Sequence, residues 1–510
     1  TNQYGVPVLD IDGKIIIALA GRIALDSNKW ALAWNYPGDG GFACKAIYSI
    51  YETSGIKGLE DLNGAFVAFV YDDNIQKYFI VTDRCGMFPV FETKLSDGEI
   101  VISSHPDLLA DITEAYHDWD LTSLAEFLST GKVSFPHTYY SNIKALEYGC
   151  IHTIDLVGHL PKYEPKKKYF NFDFNLDSKA TEWELASELA KAFEKAVNRR
   201  TMRQFGRTAI SLSGGLDSRA ILCSANNMNE IQSFCFFDEE NLEYRIAKEI
   251  AKAAGVKMIP FRRDFDHYGA NAELGVRISG GMGDFGNNHY LGFKDALIHA
   301  GIDNIITGFY CDYLFKGLLL NKKVNKLLRR ENLSKFNYET YMPLVWFDSK
   351  YSLEAKARLE VAFPDEIKCD GSDVGRLRIE AKRLFPLCYE PDHQETIVPQ
   401  KIMGWYLPTI DNDIIDVYLK IPPQFKLNTS MYSKMVELQC GEKISDIMNI
   451  NTGARVNASL LSLTFHRNAM AVRRFLAKRI SRGISTDVSW PNWKYYVMNS
   501  KIVKSLWHEN

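Results

Sequence analysis

Ser211-Leu212-Ser213-Gly214-Gly215-Leu216-Asp217-Ser218 is the stretch on which the reading of the whole chain turns. It follows the strand-like run Arg207-Thr208-Ala209-Ile210 and leads into the apolar helical stretch Ala220-Ile221-Leu222-Cys223. Strand, tight loop and helix therefore meet here. Adjacent glycines let backbone N–H groups turn toward an anion, and the helix N-terminus adds partial positive charge from its unpaired donors. Ser211, Leu212, Ser213, Gly214, Gly215 and Ser218 thus make a phosphate cradle. Asp217 is out of place beside phosphate unless a hard divalent cation sits between them, which implies Mg²⁺.

The loop is not a Walker A, which needs four residues between its glycines and then Gly-Lys-Ser/Thr. It resembles the pyrophosphate loop, Ser-Gly-Gly-Xaa-Asp-Ser, of enzymes that split ATP between the α and β phosphates. The plainer alternative is a Gly turn with a Ser/Asp N-cap at an ordinary strand-to-helix junction.

At 510 residues the chain has room for two or three domains, and its formal charge of −3 gives no electrostatic reason to expect nucleic acid as a partner. Nine cysteines are scattered without a Cys-x-x-Cys pair, a pattern of reduced thiols rather than of a disulfide framework or zinc site. No signal peptide and no apolar run of membrane-spanning length are read, so a cytoplasmic location is expected.

The first 165 residues or so alternate short apolar runs with turn signals: Ile15 to Ala20, Ala65 to Tyr71, Tyr78 to Val81 and Ile100 to Ile102. A helical pattern from Ala46 to Tyr51 ends at Gly55. The stretch from 155 to 180, with Pro161, Pro165 and Lys166-Lys167-Lys168, reads as a linker. Thr181 to Arg199 has helical periodicity. Beyond the loop, Gln232 to Phe237, Glu243 to Ala254 and Lys257 to Pro260 keep a strand–helix–strand rhythm, which predicts a parallel sheet covered by helices. Ligands in such sheets sit at the carboxyl ends of the strands.

Taken in order, Gly58 to Phe66, Asp83 to Pro89, Ile102-Ser103-Ser104, Ile143 to Gly149 and the Ser-Gly-Gly loop resemble the asparagine synthetase family. The resemblance extends to its β-lactam synthetase, carbapenam synthetase and lasso-peptide cyclase relatives. It implies an N-terminal-nucleophile (Ntn) hydrolase-like αββα sandwich over residues 1–165, then a parallel-sheet ATP-pyrophosphatase (PP-loop) domain over residues 166–510. The family's glutaminase uses a processed N-terminal cysteine, where residue 1 here is Thr, and an Asn-Gly-Glu segment, where Ala20-Gly21-Arg22 stands. A glutaminase domain that has lost its activity is therefore expected.

Further along, Thr307-Gly308-Phe309-Tyr310-Cys311-Asp312-Tyr313-Leu314-Phe315-Lys316-Gly317 resembles the family's Ser-Gly-Glu-Gly-Ala-Asp-Glu-Leu-Phe-Gly-Gly signature. The resemblance makes Asp312 a magnesium ligand with Asp217, and adds Gly308 to the ATP site. Phe309 stands where the family has a proton-moving Glu or Tyr, which leaves Tyr310 as the acid/base candidate. A family lysine that steadies the reacting phosphate has no counterpart in Met448 to Arg455, where Arg455 is the available cation. Leu407-Pro408-Thr409-Ile410-Asp411 resembles the family's Pro-Phe-Leu-Asp segment. His289, in the Gly/Asn-rich run after Gly283, is a substrate-contact candidate, and Arg473, Arg474, Lys478, Arg479 and Arg482 make a basic helical stripe.

The reading that follows is an ATP- and Mg²⁺-dependent synthetase that adenylates a carboxylate for attack by nitrogen, with intramolecular ring closure as one form. Its partners are a small-molecule or peptide carboxylate and an amine or ammonia donor, and a homodimer is among the assemblies considered. A glutamine-dependent amidotransferase and a non-catalytic ATP-binding protein are the alternatives.

Overall fold

The computed structural model describes residues 8–34, 36, 41–158, 161–177, 179–226, 228, 231–282, 288–325, 327–337, 350–363, 370–480 and 493–508. Thr1 and the run 283–287 before His289 lie outside them.

The amino-terminal strands are β1 (Val8–Ile11), β2 (Ile15–Ile23), β3 (Gly64–Asp72), β4 (Lys77–Thr82), β5 (Phe91–Lys94), β6 (Ile100–Ser103), β7 (Lys144–Ala145), β8 (Cys150–Asp155), β9 (Lys162–Tyr163) and β10 (Lys167–Lys168). They form an antiparallel sheet in the order β1-β2-β3-β4-β8-β10, with β9 also on β8, and a smaller sheet β6-β5-β7. Side chains alternate faces along a strand. Phe66, Ala68 and Val70 of β3 accordingly face helix α1 (Phe42–Ser54), whereas Val67 joins Ile80, Val90, Leu146 and Ile154 between the sheets. Helices α2 (Pro106–Ile112) and α3 (Leu121–Thr130) cover the small sheet through Leu109, Ala110, Leu124 and Phe127. The layers run helix, sheet, sheet, helix, as expected. The stretch read as a linker is instead pinned to the sheet, because β9 and β10 hydrogen-bond to β8.

Helix α4 (Glu182–Arg200) opens on a capping box: Thr181 Oγ1 accepts from the N–H of Glu184, whose carboxylate accepts from the N–H of Thr181. The chain then enters β11 (Thr208–Ser211), α5 (Leu216–Cys223), β12 (Gln232–Phe237), α6 (Leu242–Ala254), β13 (Met258–Arg262), β14 (Asn304–Ile306), the short helix α7 (Cys311–Phe315), a β15–β16 hairpin (Lys322–Asn325, Arg330–Leu333), α8 (Gln394–Ile402), β17 (Gly404–Tyr406), α9 (Ser430–Ser445) and α10 (Leu460–Ile480). The five strands β13-β12-β11-β14-β17 are parallel. After β11 the order runs outward to β13, then returns to β14 on the other side. The strand order therefore reverses at β11, and that is where an open parallel sheet leaves a crevice at its carboxyl edge.

The thiol expectation needs one correction. Cys223, at the end of α5, and Cys440, on α9, form a disulfide across a sequence separation of 217. The pair exists because α5 and α9 pack together, which local spacing cannot reveal. Cys44, Cys85, Cys150, Cys235, Cys311 and Cys388 are buried and outside any disulfide. Among the described residues no helix is long and apolar enough to cross a membrane.

Candidate active site

The loop after β11 is held by its own serines. Ser218 Oγ accepts from the N–H of Ser213 (3.0 Å), and Ser213 Oγ accepts from the N–H of Gly215 (3.2 Å), the N-cap of α5. Leu212 is anchored in the sheet through its N–H to the Phe234 carbonyl (2.8 Å). Gly214 is closely packed: a Cβ there would sit 3.1 Å from Ile450 and 3.3 Å from Ile246. The loop is tied from behind by Arg219, wholly buried, which donates to the carbonyls of Gly214, Ile444, Ile447 and Met448.

This loop opens on a cavity of about 310 Å³. Ser211, Ser213, Gly215, Asp217, Ser218 and Asn451 line one part of it. Thr307 to Tyr310, Asp312 and Tyr313, from the segment after β14, line another, and Arg263, His289 and Glu395 a third. Gly308 meets the loop from the side: a Cβ there would lie 2.8 Å from the Asp217 Cβ, so its role is to let β14 and α5 approach.

Asp312 lies in the first turn of α7 rather than at its cap, which is Tyr310 at φ 67°. Tyr310 itself is buried, and burial, then Glu390, holds its hydroxyl far above the ordinary tyrosine pKa. It stays protonated and is a donor, not a base. His289 is also buried. Burial, then Arg263, keeps its imidazole neutral, and its Nδ1 pairs with the Tyr268 hydroxyl (3.1 Å). Tyr268 in turn accepts from Arg263 Nη1 (2.7 Å), and Arg263 Nε donates to Asp238 (2.9 Å).

Arg263 and Glu395 escaped the reading of the sequence. Arg263 was signalled by its place, the first residue past the carboxyl end of a parallel strand. Glu395, on α8, carries no motif. Burial, then Asp392 and Glu390, pushes its carboxyl well above the usual range where it lines the cavity.

Arg455 is not brought to the cavity. Its guanidinium pairs with Asp446 (3.0 Å) on the surface, both more than half exposed, while the turn at Asn449–Gly453 buries Ile450 and sets Asn451 at the cavity's edge. Arg474 of the basic stripe donates to the Ile450 carbonyl (3.0 Å), while Val472, Phe475 and Leu476 of α10 face outward; Arg482 lies outside the described residues.

The carboxylates assigned to magnesium do converge, but on an ammonium. Lys316 Nζ lies 2.7 Å from Asp217 Oδ1 and 2.8 Å from Asp312 Oδ1. Burial pushes the Asp217 carboxyl up to about 6, against the opposing pull of the Lys316 ammonium. Burial opposes the charge on Lys316, yet Asp217 and Asp312 outweigh it and hold its pKa above the ordinary lysine value. A divalent ion does not fit between these oxygens while the ammonium is there.

A second cavity, of about 430 Å³, lies between the amino-terminal layers and the α8–β17 segment, around Gly21, Arg22, Cys44, Ser104, His105 and Lys401.

Comparison with known proteins follows the same division. Residues 8–166 match the glutamine amidotransferase domain family and residues 188–268 the asparagine synthase family. Asparagine synthetase (glutamine-hydrolyzing) 2 of Bacillus subtilis is 24% identical over 251 residues, covering 48% of this chain and 33% of that protein. Asparagine synthetase B (glutamine-hydrolyzing) of Escherichia coli is 23% identical over 220 residues, covering 43% and 32%. A solved glutamine phosphoribosylpyrophosphate amidotransferase from B. subtilis is 11% identical with a TM-score of 0.21, covering 50% of this chain and 48% of that one. The chain spans about a third of the length of the curated relatives it matches. Residues 8–166 and 188–268 thus match, in that order, a glutamine amidotransferase domain and an asparagine synthase domain, and over these parts the chain is similar to the asparagine synthetases.

Proposed function

We propose that the chain is an ATP-consuming ligase that forms an amide bond by adenylating a carboxylate. A carboxylate is a poor electrophile because its leaving group would be oxide. Its attack on the α-phosphorus of ATP releases pyrophosphate and gives an acyl adenylate, from which nitrogen displaces AMP. The observation that best supports this is one cavity joining the Ser-Gly-Gly-Leu-Asp-Ser loop to Arg263, His289 and Glu395.

In this reading the hydroxyls of Ser213 and Ser218 and the N-terminal end of α5 hold the pyrophosphate. Arg263 meets an acidic group of the substrate, and Tyr310 donates a hydrogen bond to it. No step is assigned to a metal on Asp217 and Asp312, whose shared space Lys316 fills. Residues 1–165 and 166–510 are taken as the two working units.

Pyrophosphate and AMP release from Mg·ATP, screened against pools of amino acids, uronic acids and short peptides, tests the proposal. Release that depends on one pool and is lost in Asp217→Ala supports it. ATP binding without release in any pool favours a non-catalytic nucleotide-binding protein.

The nitrogen donor divides two readings. Residues 8–166 match a glutamine amidotransferase domain, which favours glutamine. Arg22, lining the second cavity where the family has the Glu of Asn-Gly-Glu, favours another amine. Glutamate released from glutamine in step with pyrophosphate decides for the first.

A further inference from the structure

The space between Asp217 and Asp312 is occupied by a cation that belongs to the chain itself. Lys316 is the penultimate residue of the signature segment, one turn after Asp312, where the related signature has Gly. Its Nζ lies 2.7 Å from Asp217 Oδ1, 2.8 Å from Asp217 Oδ2 and 2.8 Å from Asp312 Oδ1. The contact with Asp217 Oδ2 is a hydrogen bond, and the other two are ion-pair contacts. The side chain is only 8% exposed, and Nζ sits 5.2 Å from the centroid of the buried Tyr432 ring. A surface lysine passing the site would carry its ammonium into water. Here the chain buries it against two carboxylates.

Magnesium on the same oxygens would need distances of about 2.0–2.1 Å and near-octahedral neighbours. It would lie where Nζ lies, and two cations cannot share that point. We propose that Lys316 is the resident cation of this site and replaces a divalent ion between Asp217 and Asp312. The pair then takes no metal of its own. A metal arriving with nucleotide is held by phosphate oxygens and by other groups. The ammonium leaves the two carboxylates with a net charge of −1, where a divalent ion would cancel them. The inference rests on reading this cavity as a phosphate site for its functional meaning, but its test needs no nucleotide.

Mn²⁺ binding to the full chain, followed by the electron paramagnetic resonance of the free ion, is the measurement. Wild type is expected to show no site that Asp312→Asn removes. Lys316→Gly is expected to gain one Mn²⁺ site per chain, at least ten-fold tighter than any in wild type and abolished by adding Asp312→Asn. Lys316→Met keeps an apolar stem against Tyr432 and should gain the same site if the glycine variant does not fold. A wild-type Mn²⁺ site lost in Asp312→Asn would overturn the proposal. So would the absence of any gain in both folded Lys316 variants. Because ATP is absent, a failed pyrophosphate-release assay would leave this result standing, and the reverse also holds.

Discussion

At Glu390 a single buried carboxyl links the candidate site to pH. Its Oε1 lies 2.8 Å from the Tyr313 hydroxyl, which also lies 2.8 Å from Asp392 Oδ2. Burial, then Asp392, pushes its pKa up to about 8 from the ordinary 4.5. The native state therefore holds a proton that the unfolded state has released. Its contribution to stability is complete below pH 4.5 and is lost as pH rises through about 8. The slope from one such proton is about 1.4 kcal/mol per pH unit. Urea denaturation across pH 5 to 9 should show Glu390→Gln losing less stability with rising pH than wild type; equal slopes would refute the assignment. Residue-level legibility was uneven. Ser213 to Ser218 announced themselves because loop, strand and helix are contiguous in sequence. Lys316 was in plain view four residues after Asp312, the spacing that puts two side chains on one helical face. Its partner Asp217 lies 99 residues earlier, so its role as a counter-ion could not be read.

Among the elements, α4 shows how local sequence sets a boundary. Thr181 and Glu184 close both ends of the capping box, Glu182 and Glu184 lie in the first turn, and Arg199 and Arg200 in the last. Acids at the start and cations at the end oppose the helix dipole. Thr181→Ala leaves the N–H of Glu184 without its cap and should cost about 1 kcal/mol in chemical denaturation. Glu184→Ala should add much less in the Thr181→Ala background than alone, since the two act as one unit. Additive losses would show that the box is not a unit. Strand and helix positions came through well for the same reason, with Gln232 to Phe237 matching β12 end to end. The tail from 155 to 180 was misread because β9 and β10 are two residues each, too short for periodicity to mark, and owe their form to β8.

For the whole molecule, the joint between the layered sheets and the parallel sheet is an ion cluster. Asp411 is fully buried and accepts from Arg200 Nη1 (2.5 Å), Arg199 Nη1 (2.8 Å) and Asn63 Nδ2 (2.9 Å). Arg199 and Arg200 come from α4, Asn63 from the turn before β3. Removing one partner of a buried pair leaves an uncompensated charge and costs about 3–5 kcal/mol. Asp411→Ala should therefore lower the denaturation midpoint and speed limited proteolysis at the joint, with Asp411→Asn milder because it still accepts from one arginine. Unchanged proteolysis in Asp411→Ala would show that apolar packing alone holds the two parts together.

By itself the sequence determined the strand-loop-helix around Ser211 to Ser218, the alternating strands of the first layers and the strand–helix rhythm of the second, because those signals are periodic or contiguous. Tertiary structure decided what meets across the gaps. It set Lys316 between Asp217 and Asp312, turned Arg455 to the surface, joined Cys223 to Cys440, and delivered Arg263 and Glu395 to the cavity. Each of these depends on chain segments far apart in sequence, whose proximity is set by the packing of the parallel sheet and its helices and leaves no local trace.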